Sequence, residues 1–316
     1  MYDLIIVGGG PAGLTATVYA INKRLETVLV GDELGGKANY KMRLRGMEGF
    51  EHITGEEIVR KFKGQVEYLD YACRRDRAAR LEVVRGPSGG QRFEVTTGGG
   101  DVLESRAVIV ATGAQPRLLG FPGENEFLGR GVSYSAVSHA PLFWGRDAVV
   151  VGSGRLALRA VAELAALAHQ VYLAAPEPPD TTSPLYEKIA RMENVQILPG
   201  YGVESVAGGD FLAEATVRGP DGDAKVLPVQ GVFVEMGLEP SSELVRGVCR
   251  LDDEGYIVVD SRGATSVPGL FAAGDVTSTY AEQVLIAVGD GAKAALAAFE
   301  FLLEHPKHLA DPPPLV

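Results

Sequence analysis

Two glycine-rich turns of one design occur in this chain, Gly8-Gly9-Gly10-Pro11-Ala12-Gly13 and Gly152-Ser153-Gly154-Arg155-Leu156-Ala157, each after a run of aliphatic and β-branched residues. Nothing else in the sequence constrains the fold as strongly. Asp3-Leu4-Ile5-Ile6-Val7 has the composition of a buried parallel strand, and Leu14 to Ile21 reads as the helix that follows it. In such a strand-turn-helix unit the first glycine lets the chain reverse and the second lets backbone N–H groups reach a pyrophosphate. A small third residue lets helix and strand pack closely. One motif of this kind is weak evidence. Two, each in the same context, predict two dinucleotide sites, because ordinary tight turns would have to be invoked twice.

The rest of the chain repeats one plan. Thr54-Gly55-Glu56-Glu57 has the form of a capping box and predicts a helix from about Gly55 to Leu69. A β-meander is expected over Leu81 to Arg85, Arg92 to Thr97 and Asp101 to Arg106, with turns at 86–90 and 98–100. The apolar run Ala107 to Ala111 then ends in Thr112-Gly113-Ala114, as a central strand does at a ligand edge. After the second turn come a helix to about Ala168, a strand over Gln170 to Ala174, a further helix, a second meander within 203–229, and the apolar strand Gly231 to Glu235. The segment Gly269 to Asp275 looks like another central strand and needs a sheet to join. The economical solution is an α/β chain with a weak internal duplication, in which a second domain, 117–243, is inserted into a first one split into 1–116 and 244–316.

The 316 residues suffice for two domains with sizeable cores, and a net charge of −11 argues against a nucleic-acid or anionic-membrane partner. The most apolar late stretch, Val284 to Leu303, is interrupted by Asp290, Lys293 and Glu300, so no membrane span is expected. With the first strand starting at Asp3 there is no room for a leader, and a cytoplasmic protein is expected. Cys73 and Cys249, the two cysteines, form neither a CxxC nor a metal-ligand cluster, so no metal site is expected. Single Trp144, after Phe143, is expected to be a packing residue.

These motifs resemble the low-molecular-weight thioredoxin reductases and their flavin-dependent relatives, among them ferredoxin or flavodoxin NADP reductases of the same fold. The resemblance covers essentially the whole chain and is carried by Gly8 to Gly13 with Gly35-Gly36, Ile53-Thr54-Gly55, Ala111 to Ala114, Gly129 to Ser133, the second glycine turn, Gly255 to Asp260, and Thr265 through Val276. It implies two Rossmann-like domains of the three-layer ββα type, the first holding FAD and the inserted one a nicotinamide dinucleotide, in a homodimeric oxidoreductase.

Carried over by residue, the resemblance implies that Gly8, Gly10, Pro11, Ala12 and Gly13 line the FAD pyrophosphate together with Gly35, Gly36 and Ala111, Thr112 and Gly113. Gly274 and Asp275 would meet the ribityl chain, with the helix start at Glu282, Gln283 and Val284 aimed at the flavin pyrimidine. Asp32, with Glu33 beside it, stands where an acid is expected to take the adenosine ribose, about twenty residues past the last glycine, the other reading being that both are solvated turn residues. Lys37 stands where the family often has glutamine. A cation there either raises the flavin potential or faces solvent.

Two departures bear on the reaction. Thioredoxin reductases carry a CxxC that passes electrons from flavin to thioredoxin; the corresponding stretch here is Ser135-Ala136-Val137-Ser138, and a hydroxyl has no disulfide state. His139 follows, as a candidate proton donor or a structural residue. The NADPH-specific His-Arg-Arg cluster is replaced by Leu173-Ala174-Ala175-Pro176-Glu177. Glu177 lies about twenty residues past Ala157, where an acid binds the ribose diol of NADH and repels a 2′-phosphate. Gly152, Gly154, Arg155 and Leu156 complete that site, which favours NADH over NADPH unless nicotinamide binding has been lost. The expectation is therefore an FAD-dependent oxidoreductase that takes hydride from NAD(P)H and hands electrons to a non-dithiol acceptor: ferredoxin, flavodoxin, a quinone or another small oxidant. Two rivals stay open: a non-catalytic flavin-binding sensor or interaction protein, and a disulfide reductase using Cys73 or a partner's thiols.

Overall fold

The computed structural model describes residues 1–46, 54–69, 72–85, 90–279 and 281–306. In chain order it opens with β1 (Tyr2–Val7), α1 (Pro11–Asn22), β2 (Thr27–Val30), α2 (Gly55–Tyr68), β3 (Cys73–Arg74), β4 (Ala78–Arg85), β5 (Gln91–Thr97), β6 (Val102–Val110) and β7 (Ala114–Pro116). The middle comprises β8 (Val132–Ser133), α3 (Ala136–His139), β9 (Asp147–Val151), α4 (Arg155–Ala165), β10 (Gln170–Ala175), α5 (Pro184–Ile189), β11 (Val195–Pro199), β12 (Gly202–Gly208), β13 (Leu212–Arg218), β14 (Ala224–Leu227), β15 (Gly231–Val234) and β16 (Leu238–Pro240). β17 (Leu270–Ala272) and α6 (Val284–Glu304) close it. Residue Ile53 of the Ile53-Thr54-Gly55 motif, the turn residues 86–89 and the tail beyond 306 lie outside the described residues.

Chain contacts divide the protein into two units, one formed by Met1–Asn39, Ile53–Gln115 and Glu239–Val316, the other by Tyr40–His52 and Pro116–Leu238. In the first, a sheet runs β3-β2-β1-β6-β5-β4, with β17 also on β6. β1 pairs in parallel with β2 and β6, and β17 in parallel with β6 through Leu270↔Val108 to Ala272↔Val110. The late strand that needed a sheet therefore finds one here. Side chains alternate across β1: Leu4 and Ile6 face the helix-side core with α1 and α6, while Ile5 and Val7 face a second core with Leu81, Phe93, Val95 and Ile257. A strand covered on both faces cannot alternate polar with apolar, which is why this run is continuously aliphatic.

β6 differs from expectation. The meander strand 101–106 and the apolar run 107–111 are one nine-residue strand rather than two. Its first half pairs antiparallel with β5, Phe93↔Ser105 to Thr96↔Val102, and its second half pairs in parallel with β1 and β17. No turn residue separates the halves, and a ladder continues wherever nothing interrupts it. Capping of α2 follows the sequence: the Thr54 hydroxyl accepts from the Glu57 N–H, and Glu57 reaches back to the Thr54 N–H.

The second unit repeats the plan with a parallel sheet, β11-β10-β9-β15-β8, and a separate antiparallel β12-β13-β14 meander. Ala148 and Val150 of β9 face α4, while Val149 and Val151 face the meander core. β11 and the two-residue β8 were not expected from sequence; both are short edge strands whose pairing is decided by neighbours. Residues 40–46, expected with the first domain, group with the second unit because Met42 and Leu44 enter its core, the Arg43 N–H donates to the Gly129 carbonyl, and the Arg146 guanidinium donates to the Arg45 carbonyl. Trp144, expected to pack, is 76% exposed; Phe143 fills the core instead, edge-on to Phe233.

Helices α1 and α6 meet backbone to backbone. A Cβ on Gly291 would stand 2.1 Å from the Ala12 carbonyl oxygen, whereas one on Gly289 would meet nothing within 4 Å. Gly291→Ala is therefore expected to destabilise the protein by about 1–3 kcal/mol through overpacking. Gly289→Ala is expected to stabilise it by roughly 0.5–1 kcal/mol through helix propensity. Urea unfolding of the two variants checks the opposite signs.

Candidate functional site

In the first unit, the C-terminal ends of β1, β2 and β6 gather nearly all the residues expected to serve FAD. The Gly8 N–H donates to the Val30 carbonyl, which turns the chain off β1. Gly8 adopts φ +112°, and a Cβ there would lie 2.2 Å from the Ala111 carbonyl oxygen, so only glycine fits between the two strand ends. Gly10, at the N-cap of α1, behaves oppositely: a Cβ would meet nothing within 4 Å, and no side chain caps the helix. By contrast, α2 and α3 are capped by Thr54 and Ser135. An open, uncapped N-terminus with its dipole pointing out of the sheet is the arrangement that takes a phosphate.

The neighbouring loop folds back onto this turn. The Gly35 N–H donates to the Gly9 carbonyl, and Asn39 Nδ2 donates both to Glu33 Oε1 and to the Leu34 carbonyl. Asp32 and Glu33 are exposed at the end of β2, with Asp32 Oδ1 accepting from the Glu33 N–H. Asn39, which sequence reasoning missed, is thus the residue that shapes the loop over 33–37. Thr112 Oγ1 donates to the Ser241 carbonyl and the Ser241 N–H to the Gly113 carbonyl, which fixes the β6 exit. Gly274 lies against Ala12, and Val284 begins α6 after the N-cap Gln283.

Lys37 neither points to solvent nor stands apart as a lone cation. Its Nζ lies 2.7 Å from Asp275 Oδ2, with the Lys37 side chain 32% and the Asp275 side chain 13% exposed. Glu282 reaches solvent, yet the protein crowding its carboxyl pushes it above the ordinary carboxylate range, Asp275 adding to the rise and Lys37 opposing it. Burial likewise pushes the Tyr256 hydroxyl up, with Glu282 the largest contributing charge. Lysine, two carboxylates and a phenol thus form one electrostatic cluster, and its ion pair could not be read from residues so far apart in sequence.

The second turn follows the same rules. The Gly152 N–H donates to the Ala174 carbonyl, Gly154 is the uncapped N-cap of α4, and Ala157 is fully buried where the first turn has Gly13. Arg155 and Leu156 are exposed on the first turn of α4. Arg159 pairs with Glu163 at 2.7 Å along the helix. Ser153, unremarked in the sequence, donates from Oγ to the Glu177 carbonyl at 2.7 Å and accepts the Glu177 N–H at 3.0 Å. The only advance signal is a hydroxyl residue between two turn glycines.

Ser135, Ser138 and His139 all lie on or beside the one-turn helix α3. Ser135 caps it, accepting the Ser138 N–H, and its Oγ donates to Ser138 Oγ at 3.0 Å. Buried Ser133 lies 2.8 Å from His139 Nδ1. Both cysteines belong to the other unit and are half-buried, and burial pushes the Cys249 thiol above its ordinary range.

Residues 2–291 match the family model described as pyridine nucleotide-disulphide oxidoreductase. The chain belongs to that family. Its fold is that of the thioredoxin reductases. A thioredoxin reductase from Streptococcus pyogenes superposes with TM-score 0.85 at 30% identity, covering 96% of this chain and 99% of that one. One from Giardia duodenalis gives 0.84 at 27% identity, covering 96% and 99%. Among curated relatives, a Bacillus subtilis protein named NADH dehydrogenase is 34% identical over 308 residues, 96% of this chain and 59% of that protein. An alkyl hydroperoxide reductase component of Pseudomonas aeruginosa is 33% identical over 306 residues, 96% of this chain and 58% of that protein. The chain thus spans about three-fifths of the length of these curated relatives. Among the described residues no helix is long and apolar enough to cross a membrane.

Lys37→Met leaves the half-buried Asp275 carboxylate without its cation and is expected to cost about 1–2 kcal/mol, reduced from the fully buried case by partial exposure. In a double-mutant cycle with Asp275→Asn, measured by urea unfolding, the double variant is expected to lose less than the sum of the two single losses. Strict additivity would show that the pair contributes nothing.

Proposed function

We propose that this chain passes electrons from NADH, through FAD in its first domain (1–116 and 244–316), to an acceptor other than a dithiol of its own. The inserted domain, 117–243, receives the nicotinamide dinucleotide. One observation carries this reading: the positions matching the family's thiol pair are serines engaged in a helix cap and a mutual hydrogen bond. Neither can accept electrons from a reduced flavin, so the electrons leave the chain by another route.

FAD supplies the two-electron centre when bound. The residues of the chain bind and bias it. The glycine turn at Gly8 to Gly13, with Gly35 and Gly36 beside it, offers backbone N–H groups and the positive end of α1 to the pyrophosphate. Asp32 or Glu33 takes the adenosine ribose. Ala111, Thr112 and Gly113 line the strand exit, and Gly274 lets Asp275 accept from a ribityl hydroxyl. The α6 start at Gln283 and Val284 would turn its positive dipole toward the flavin pyrimidine, with Lys37 held by Asp275 and Glu282 adding negative charge beside them. His139, oriented by Ser133, is the proton donor of this scheme.

For the reductant, the uncapped turn at Gly152 and Gly154 with Arg155 suits a pyrophosphate, Leu156 lies exposed beside it on the first turn of α4, and Glu177 suits an unphosphorylated ribose. The name of the Bacillus relative supports NADH as well. The acceptor class this leaves is a redox protein or small oxidant such as a quinone.

Anaerobic mixing of the FAD-loaded protein with NADH is expected to bleach the flavin absorbance band at least tenfold faster than NADPH does. A quinone is then expected to reoxidise it, whereas thioredoxin is not reduced in turnover. Efficient NADPH-dependent thioredoxin reduction by the wild-type chain would overturn the reading.

A further inference from the structure

Glu177 is exposed, and an exposed glutamate on a free loop is a poor reader of a sugar, because ordering it costs conformational entropy before any hydrogen bond is gained. Three features remove that cost here. Pro176 has a fixed φ, Pro178 confines Glu177 to extended backbone, and the Ser153 hydroxyl holds the N–H and the carbonyl of Glu177 at once, at 3.0 and 2.7 Å. Ser153 is itself the central residue of the glycine turn. Its two bonds therefore fix the span between the pyrophosphate turn and the acid at the end of β10, leaving only side-chain rotations free.

We propose that Ser153 is a specificity-positioning residue: by clamping the Glu177 backbone to the second glycine turn, it holds the carboxylate at the ribose diol of an NAD-type dinucleotide and denies the place to a 2′-phosphate. This rests on the reading that the inserted domain binds a nicotinamide dinucleotide. It extends that reading by assigning discrimination to a hydroxyl that need not touch the ribose at all. A free acid swings aside when a phosphate arrives and costs that ligand little; a clamped one keeps the two negative charges together.

The test uses the full FAD-loaded chain and equilibrium binding of NAD+ and NADP+ by calorimetry, so that no turnover intervenes. Glu177→Gln is expected to lower the preference for NAD+ over NADP+ at least tenfold. Ser153→Ala is expected to lower it about fivefold, the worth of a lost hydrogen bond. The double variant is expected to discriminate no worse than Glu177→Gln alone, and Ser153→Thr, which keeps the hydroxyl, to retain most of the preference. If Ser153→Ala weakens NAD+ and NADP+ equally while Glu177→Gln changes their ratio, the hydroxyl serves the pyrophosphate or the fold, and the clamp is overturned with the nucleotide site intact. An unchanged ratio in Glu177→Gln removes the acid as reader and the clamp with it. Failure of the wild-type chain to bind either dinucleotide overturns both this inference and the function on which it rests.

Discussion

Backbone packed directly on backbone at the first glycine turn is the constraint on which the architecture of the first unit depends. A Cβ on Gly13 would sit 1.8 Å from the Gly8 carbonyl oxygen, and one on Gly291 would sit 2.1 Å from that of Ala12. With no side chains between them, α1 lies against the ends of β1 and β6 on one side and against α6 on the other. Its N-terminus opens at the sheet edge as a result. The loop carrying Asp32 to Lys37, the β6 exit at Thr112 and Gly113, and the Gly274-Asp275 corner all arrive at that same edge, since parallel strands end together and their connections must leave there.

The second unit reaches the same geometry with fewer glycines. Ala157 stands in for Gly13, and Ser153 for the middle glycine, so the turn gains a hydroxyl that reaches across to the loop after β10. In α3 the Ser135 hydroxyl performs the capping that a short helix needs.

Charge around the proposed flavin site is balanced rather than simply positive. A lone Lys37 would act as an unscreened cation; paired with Asp275 at 2.7 Å it contributes mainly a fixed dipole, with Glu282 held in the same field. Which member of this cluster dominates depends on distances that only the folded chain sets, because residues 37, 275 and 282 come from a loop after β2, a strand exit and a helix start.

What the sequence alone determined is local and repetitive: aliphatic strands buried on both faces, glycine turns opening helices, the Thr54 capping box, and the return of the segment 269–275 to the first sheet. Each rests on short-range sterics or on a periodicity that a few neighbouring residues express. Folding alone decided the rest. The union of two expected strands into β6, the pairing of β11 and β8, the attachment of residues 40–46 to the second unit, the exposure of Trp144, the Lys37–Asp275 pair and the Ser153–Glu177 clamp all depend on partners far away in the chain. A side chain's composition and immediate neighbours carry no information about a group that only packing brings within 3 Å.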